Sequence, residues 1–203
     1  MTEPEKNTEQ QILNAAKTVF LKKGFDGARM QEIADEAGMN KALLHYYFRS
    51  KDKLFDAIFQ EAFQQFLPRV SEIMTSDKPF FEKIWAFVES YIDMLLENPH
   101  LPMFILNELY RHPERLVNIV RGFGIQPELF ALQMKKEIEA GNIHPVDPRH
   151  FMVTMLGLCI FPFAARPMIQ RVLFENNAEE YQKFLLQRKT EVTLFIMNAL
   201  TPK

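Results

Sequence analysis

The chain has 203 residues, 47% of them hydrophobic and 25% charged, which is enough apolar material for one or two packed domains and too much for a disordered chain. A formal charge of −2 excludes a protein that coats nucleic acid through a broadly basic surface, and a single cysteine excludes an intrachain disulfide and suits a reducing cytoplasm. No run of eighteen uncharged apolar residues occurs, so no membrane span is expected, and the polar, acidic opening Met1-Thr-Glu-Pro-Glu-Lys does not read as a secretory signal.

Helical periodicity runs through the whole chain. Ile12, Ala15, Ala16, Val19 and Phe20 mark one buried helix face, with the capping-box spacing of Thr8 and Gln11 before it and a stop at Gly24. Residues 30–37 form a short second helix with Ile33, Ala34 and Ala37 on one side, ended by Gly38. Asn40 caps a third short helix that carries Leu44 and Phe48, and Ser50 caps a fourth. Leu54, Phe55, Ile58, Phe59, Ala62, Phe63 and Phe66 extend the fourth helix to Pro68. The next bears Phe80, Ile84, Phe87, Val88, Tyr91 and Leu95 and stops at Asn98-Pro99. Pieces over 103–111 and 114–121 precede a helix begun by Gln126-Pro127. Asp147-Pro148 opens the very apolar stretch 151–174, and the last helix carries Tyr181, Leu185, Val192, Phe195 and Ile196. No alternating strand pattern appears. The expectation is an all-α protein of about nine helices with a seam near Ser50, giving residues 1–50 and 51–203 as the two domains.

Two short helices joined by the turn Gly38-Met39-Asn40 make a helix-turn-helix, whose second helix enters the major groove of DNA. Leu44 and Phe48 should then face inward over Ile33 and Met39. Lys41 can reach guanine or phosphate, Ala42 allows close approach, Leu43 can touch a thymine methyl, and His45 and Tyr46 can donate to phosphates. Arg29 and Lys51 are placed to meet the backbone. The candidate DNA-contacting set is Arg29, Asn40, Lys41, Ala42, Leu43, His45, Tyr46, Tyr47 and Lys51.

The same stretch resembles the TetR family of transcriptional regulators. The resemblance lies in Ile12-Leu-Asn-Ala-Ala-Lys-Thr-Val-Phe20, Gly24-Phe25, Ile33-Ala-Asp-Glu-Ala-Gly-Met39, Asn40-Lys-Ala-Leu-Leu-His-Tyr-Tyr-Phe48 and Ser50-Lys-Asp-Lys-Leu54. It covers about the first fifty-five residues closely. Arg29 stands where the family usually has a Ser or Thr cap, His45 where it most often has Tyr, and Leu43 where it often has Thr or Ser; these departures bear on which operator is read. For residues 51–203 the resemblance implies a helical ligand-binding domain that also forms the homodimer, and for the whole chain a repressor that releases a palindromic double-stranded operator when ligand binds and helix four (residues 52–67) shifts.

The residues support that second half independently. The stretch 151–174 is apolar nearly all round, and Leu186 and Leu194 lie off the last helix's main stripe, a surplus best hidden in a homodimer. The 19 Phe and 11 Met suggest an adaptable cavity for a small hydrophobic ligand, with Trp85, Tyr91, Phe104 and Tyr110 as candidate lining or ordinary core. No cofactor, metal site, catalytic group or membrane partner is expected. Cys159 has no nearby charge and reads as an inert thiol, and the histidines at 45, 100, 112, 144 and 150 show no metal spacing. Glu108, Arg111 and His112 either hold a polar ligand group or form a solvated helix end. Arg166 either pairs across a dimer or faces ligand. The competing reading is a helical small-molecule-binding protein or enzyme without DNA binding, although no Gly-rich phosphate loop or nucleophile–base set is present.

Overall fold

The structure, a computed structural model, describes residues 3–64, 66–99 and 101–202. Met1, Thr2 and His100 therefore lie outside the described residues. Twelve helices and no strand occur among the described residues.

The N-terminal part holds α1 (Glu3–Gly27), α2 (Met30–Glu36) and α3 (Lys41–Tyr47). α1 starts earlier than the Thr8 and Gln11 spacing predicts, because Pro4 falls in the first turn, where its missing N–H costs nothing. The expected stop is real: Gly24 leaves helical geometry at φ 70° and ψ 173° and kinks the helix. Gly38 makes the turn between α2 and α3 at φ 65°, and Asn40 caps α3 by accepting the Leu43 N–H at 2.8 Å.

α4 (Lys51–Phe63) is capped by Ser50, whose hydroxyl accepts the Lys53 N–H at 3.2 Å. Glu61 on α4 joins Lys17 at 2.7 Å and Gln10 at 2.9 Å, clamping α4 to α1. α5 (Phe66–Thr75), α6 (Phe80–Glu97), α7 (Leu101–Arg111), α8 (Pro113–Gly122) and α9 (Pro127–Glu139) follow. The chain ends with α10 (Pro148–Ala164), α11 (Arg166–Phe174) and α12 (Ala178–Leu200). α6 is the central strut, packed on α5, α10 and α12, and one continuous apolar core runs from Ile12 to Leu200.

Two breaks raise the helix number above nine. The predicted fourth helix divides after Phe63, and Pro68 starts α5 instead of ending α4, since a proline in a first turn is free of strain. The apolar stretch 151–174 divides at Ala165, with α10 and α11 meeting at a 75° bend and Pro167 in the first turn of α11. No single described helix is long and apolar enough to cross a membrane.

Candidate nucleic-acid interface and ligand cavity

The helix-turn-helix is packed as its spacing requires. Ile33 and Leu44 are fully buried, Phe48 nearly so, and Met39 sits half-buried against them. This burial turns Lys41, Ala42, Leu43 and Tyr46 outward, with Leu43 39% and Tyr46 75% exposed. Arg29 is exposed at the start of α2, where Glu32 substitutes for a side-chain cap by accepting the Arg29 backbone N–H at 3.2 Å. Lys23 donates to Glu32 at 2.8 Å and holds its carboxyl below the ordinary glutamate range. His45 is half-buried on the flank of α3.

Three members of the candidate set have duties inside the protein. Asn40 uses its carbonyl oxygen for the α3 cap. Tyr47 is half-buried against the core, with Tyr46 edge-on to it at 5.4 Å. Lys51 departs most from expectation. Its ammonium donates to the Ala28 carbonyl at 3.1 Å and lies 4.5 Å from the Phe25 ring centroid, so it ties α4 to the end of α1 and is not directed at a phosphate.

Beyond the head lies a cavity of about 310 Å³ enclosed by α5 to α10 together with the end of α4. Phe63, Phe66, Leu67, Val70, Ile84, Phe87, Tyr91, Ile105, Leu109, Leu116, Val120, Phe130 and Met155 are among its walls. Of the four candidate lining residues only Tyr91 is there. Trp85 is 40% exposed on the outer side of α6, and Tyr110, at 93%, stands in solvent. Phe104 is buried elsewhere, stacked on Phe55 at 5.3 Å in an aromatic cluster with Phe20 and Phe25 where α1, α4 and α7 meet.

The Glu108, Arg111 and His112 cluster belongs to that same junction. Arg111 pairs with Asp26 at the end of α1. Glu108 is 1% exposed and its partner is Arg115, at 3.1 Å, a residue that sequence reasoning missed. Arg115 also reaches Asp52 on α4 at 2.7 Å and lies over the Phe25 and Phe55 rings. Burial outweighs the pull of Arg115 and raises the Glu108 carboxyl above its ordinary range. The signal for Arg115 was its place beside Leu116 on a short helix that shows one apolar face to the cavity. Arg166 is exposed, donates to Gln170 at 3.2 Å and does not line the cavity. Cys159 is buried, and burial pushes its thiol up to about 12.

α10 to α12 carry a second surface. Val153, Phe161, Met168, Val172, Leu173 and Phe195 are each more than half exposed. Val153, Gly157 and Phe161 recur every fourth residue along α10, and a Cβ at Gly157 would meet nothing within 4 Å.

Comparison with known proteins bears on the head first. The family model "Bacterial regulatory proteins, tetR family" matches residues 12–58. The chain is 26% identical to the HTH-type transcriptional regulator RutR of Escherichia coli K12, over 87% of each chain. It is also 27% identical to the HTH-type transcriptional regulator YfiR of Bacillus subtilis, over 73% of this chain and 74% of that one. Residues 12–58 thus match the tetR family of bacterial regulatory proteins, and the longer alignments are to HTH-type transcriptional regulators. The fold itself is shared with a solved structure over nearly the whole length. The crystal structure of FadR from Bacillus subtilis, solved in complex with stearoyl-CoA, superposes with a TM-score of 0.65 at 18% identity over 94% of this chain and 98% of that one. The matched segment runs from within α1 through α2 and α3 into α4, so the family match includes the helix that carries the outward-facing Lys41, Leu43 and Tyr46.

Proposed function

We propose that this tetR-family regulator is a ligand-responsive repressor, in which residues 1–50 read a palindromic operator and residues 51–203 bind a small hydrophobic molecule and form the homodimer. One observation carries the reading: α7 and α8 serve the cavity and the DNA-reading head at once. Ile105, Leu109, Leu116 and Val120 face the cavity, while Phe104, Glu108, Arg111 and Arg115 on the same helices hold α1 and α4. α4 itself runs from Lys51, beneath the head, to Phe63, in the cavity wall. A ligand that spreads α7 and α8 from α5 must therefore move Arg111 and Arg115 relative to Asp26 and Asp52, and with them the head. Packed interfaces of this kind respond in discrete steps and not by continuous deformation.

The exposed apolar face of α10 to α12 supports pairing of two chains, as two heads must stand roughly one helical turn of DNA, about 34 Å, apart to engage a palindrome. Ligand and operator should oppose each other reciprocally, each weakening the other by the same factor.

The test is a gel shift with fragments of the promoter next to the encoding gene. A salt-sensitive, sequence-dependent shift that ligand abolishes is expected. Absence of any shift across native promoter fragments would favour a small-molecule-binding protein that does not read DNA.

A further inference from the structure

Glu108 is almost wholly buried, yet neither of its carboxylate oxygens accepts a hydrogen bond among the described residues. Arg115 Nη1 stands 3.1 Å from Oε1, but the two are misaligned, and both atoms are buried without a hydrogen-bond partner. Arg115 directs its other nitrogens at Asp52, at 2.7 Å, and Asp56, at 3.8 Å. Glu108 thus shares that cation with two further carboxylates and is compensated in charge alone. Burial without a hydrogen bond is costly for an acceptor, and each such group in a native protein calls for a use.

Glu108 lines a cavity of about 200 Å³ between the head and the helical body, separate from the larger one. Oε1 is enclosed by the packing around Arg115, whereas Oε2 is not and has access to this space. Phe20, Phe25, Phe55 and Phe104 stand in the same wall, with Asn107 and Arg111. Lys51 and Arg115 already lie over Phe25 and Phe55, so this ring cluster attracts cations, while no cation among the described residues lies over Phe20 or Phe104. Arg111 is held by Asp26. At the junction as a whole Asp26, Asp52, Asp56 and Glu108 outnumber Arg111, Arg115 and Lys51, and the His112 and Glu114 pair does not reverse the sign. The site therefore lacks a positive charge.

We propose that this junction is a second ligand site, which takes a small organic ammonium ion: its N–H groups donate to Glu108 Oε2 and its apolar body rests among the four phenylalanine rings. The site does not depend on what fills the larger cavity, whose wall holds no carboxylate among the described residues. Its own wall draws on α1, α4 and α7, so an occupant fixes the arrangement of head and body.

Isothermal titration calorimetry on the full-length protein tests this with 2-phenylethylamine, 2-phenylethanol and phenylacetate, which share one skeleton and differ in charge. Wild type should bind the amine about tenfold more tightly than the alcohol, because a hydrogen bond between charged groups is worth more than one to a neutral donor, and phenylacetate least. Glu108→Gln keeps the shape and removes the charge, and should bring the amine down to the level of the alcohol. Equal binding of amine and alcohol by wild type, tightest binding by phenylacetate, no binding of the amine, or an amine preference retained in a folded Glu108→Gln protein would each overturn the proposal. Should Glu108→Gln lose its helical circular-dichroism signal, the wild-type order decides alone, since the larger cavity has no carboxylate that could produce it. None of these outcomes bears on operator binding, so the repressor reading is tested separately.

Discussion

At Lys51 the ammonium is held by the Ala28 carbonyl and the Phe25 ring, whereas the exposed Lys41 has no hydrogen bond or ion pair among the described residues. The two should separate in experiment. Lys41→Ala should lower the slope of log affinity against log salt by about one unit, because one phosphate contact is lost. Lys51→Ala should leave that slope in place and instead lower the denaturation midpoint, by about 1 kcal/mol of stability. Leu43 has no polar atom in its side chain and stands on the exposed face of α3, so the contact expected of it with DNA is apolar readout. Leu43→Ala should therefore alter preference among operators with base substitutions, by about 1 kcal/mol at a thymine-containing position, more than it alters affinity for DNA in general. A selection of bound sequences before and after the change reads this directly.

Among the elements, the α7–α8 pair bears most on mechanism, through the ion pairs at its junction with α1 and α4. Arg115→Met would leave Glu108 buried without its cation and should cost about 3 kcal/mol in urea denaturation, with most of the loss recovered in the Arg115→Met, Glu108→Leu double variant. Glu108 also makes stability depend on pH. Its folded-state carboxyl titrates above the ordinary glutamate range, so the native chain holds that proton more tightly than the unfolded chain. Its contribution is complete below the ordinary glutamate value and is lost as pH rises through the raised one. Glu108→Gln should flatten the fall in urea midpoint over that interval, and an unchanged pH profile would contradict the assignment.

The same junction shows why part of the site was illegible in the sequence. The head rests on local signals, namely the Asn40 and Ser50 caps, the Gly38 turn and the spacing of Ile33, Leu44 and Phe48, and it folds as they indicate. The cavity depends on which way a helix is rotated. Each candidate that lies outside the cavity is the immediate neighbour of a residue in its wall: Trp85 follows Ile84, Phe104 precedes Ile105, and Tyr110 follows Leu109. One residue along a helix turns a side chain by about 100°, enough to move it from cavity to solvent or to another core. Aromatic character marked the helices correctly and did not identify the facing side.

For the whole molecule, the exposed apolar side chains of α10 to α12 bear on assembly. Helix breaks at Ala165 and after Phe63 were hidden because the apolar pattern continues across them, yet the surplus of apolar residues that it predicted is present as exposed side chains. Phe161 is 56% exposed on the stripe with Val153 and Gly157. Phe161→Glu should shift the protein from dimer to monomer in sedimentation and weaken operator binding, because a charge would be trapped in an apolar contact. A variant that still sediments as a dimer would place the contact elsewhere.

The recognition helix is only seven residues long, with one lysine in it, so a lone head grips DNA weakly. If two chains join across α10 and α12, the second head is delivered to its half-site at high local concentration, and occupancy is set by the pair. Below the dissociation constant of the dimer, the amount of pair rises with the square of the amount of chain. The promoter would then respond steeply to gene dosage even without ligand: halving synthesis would reduce the functional reader about fourfold.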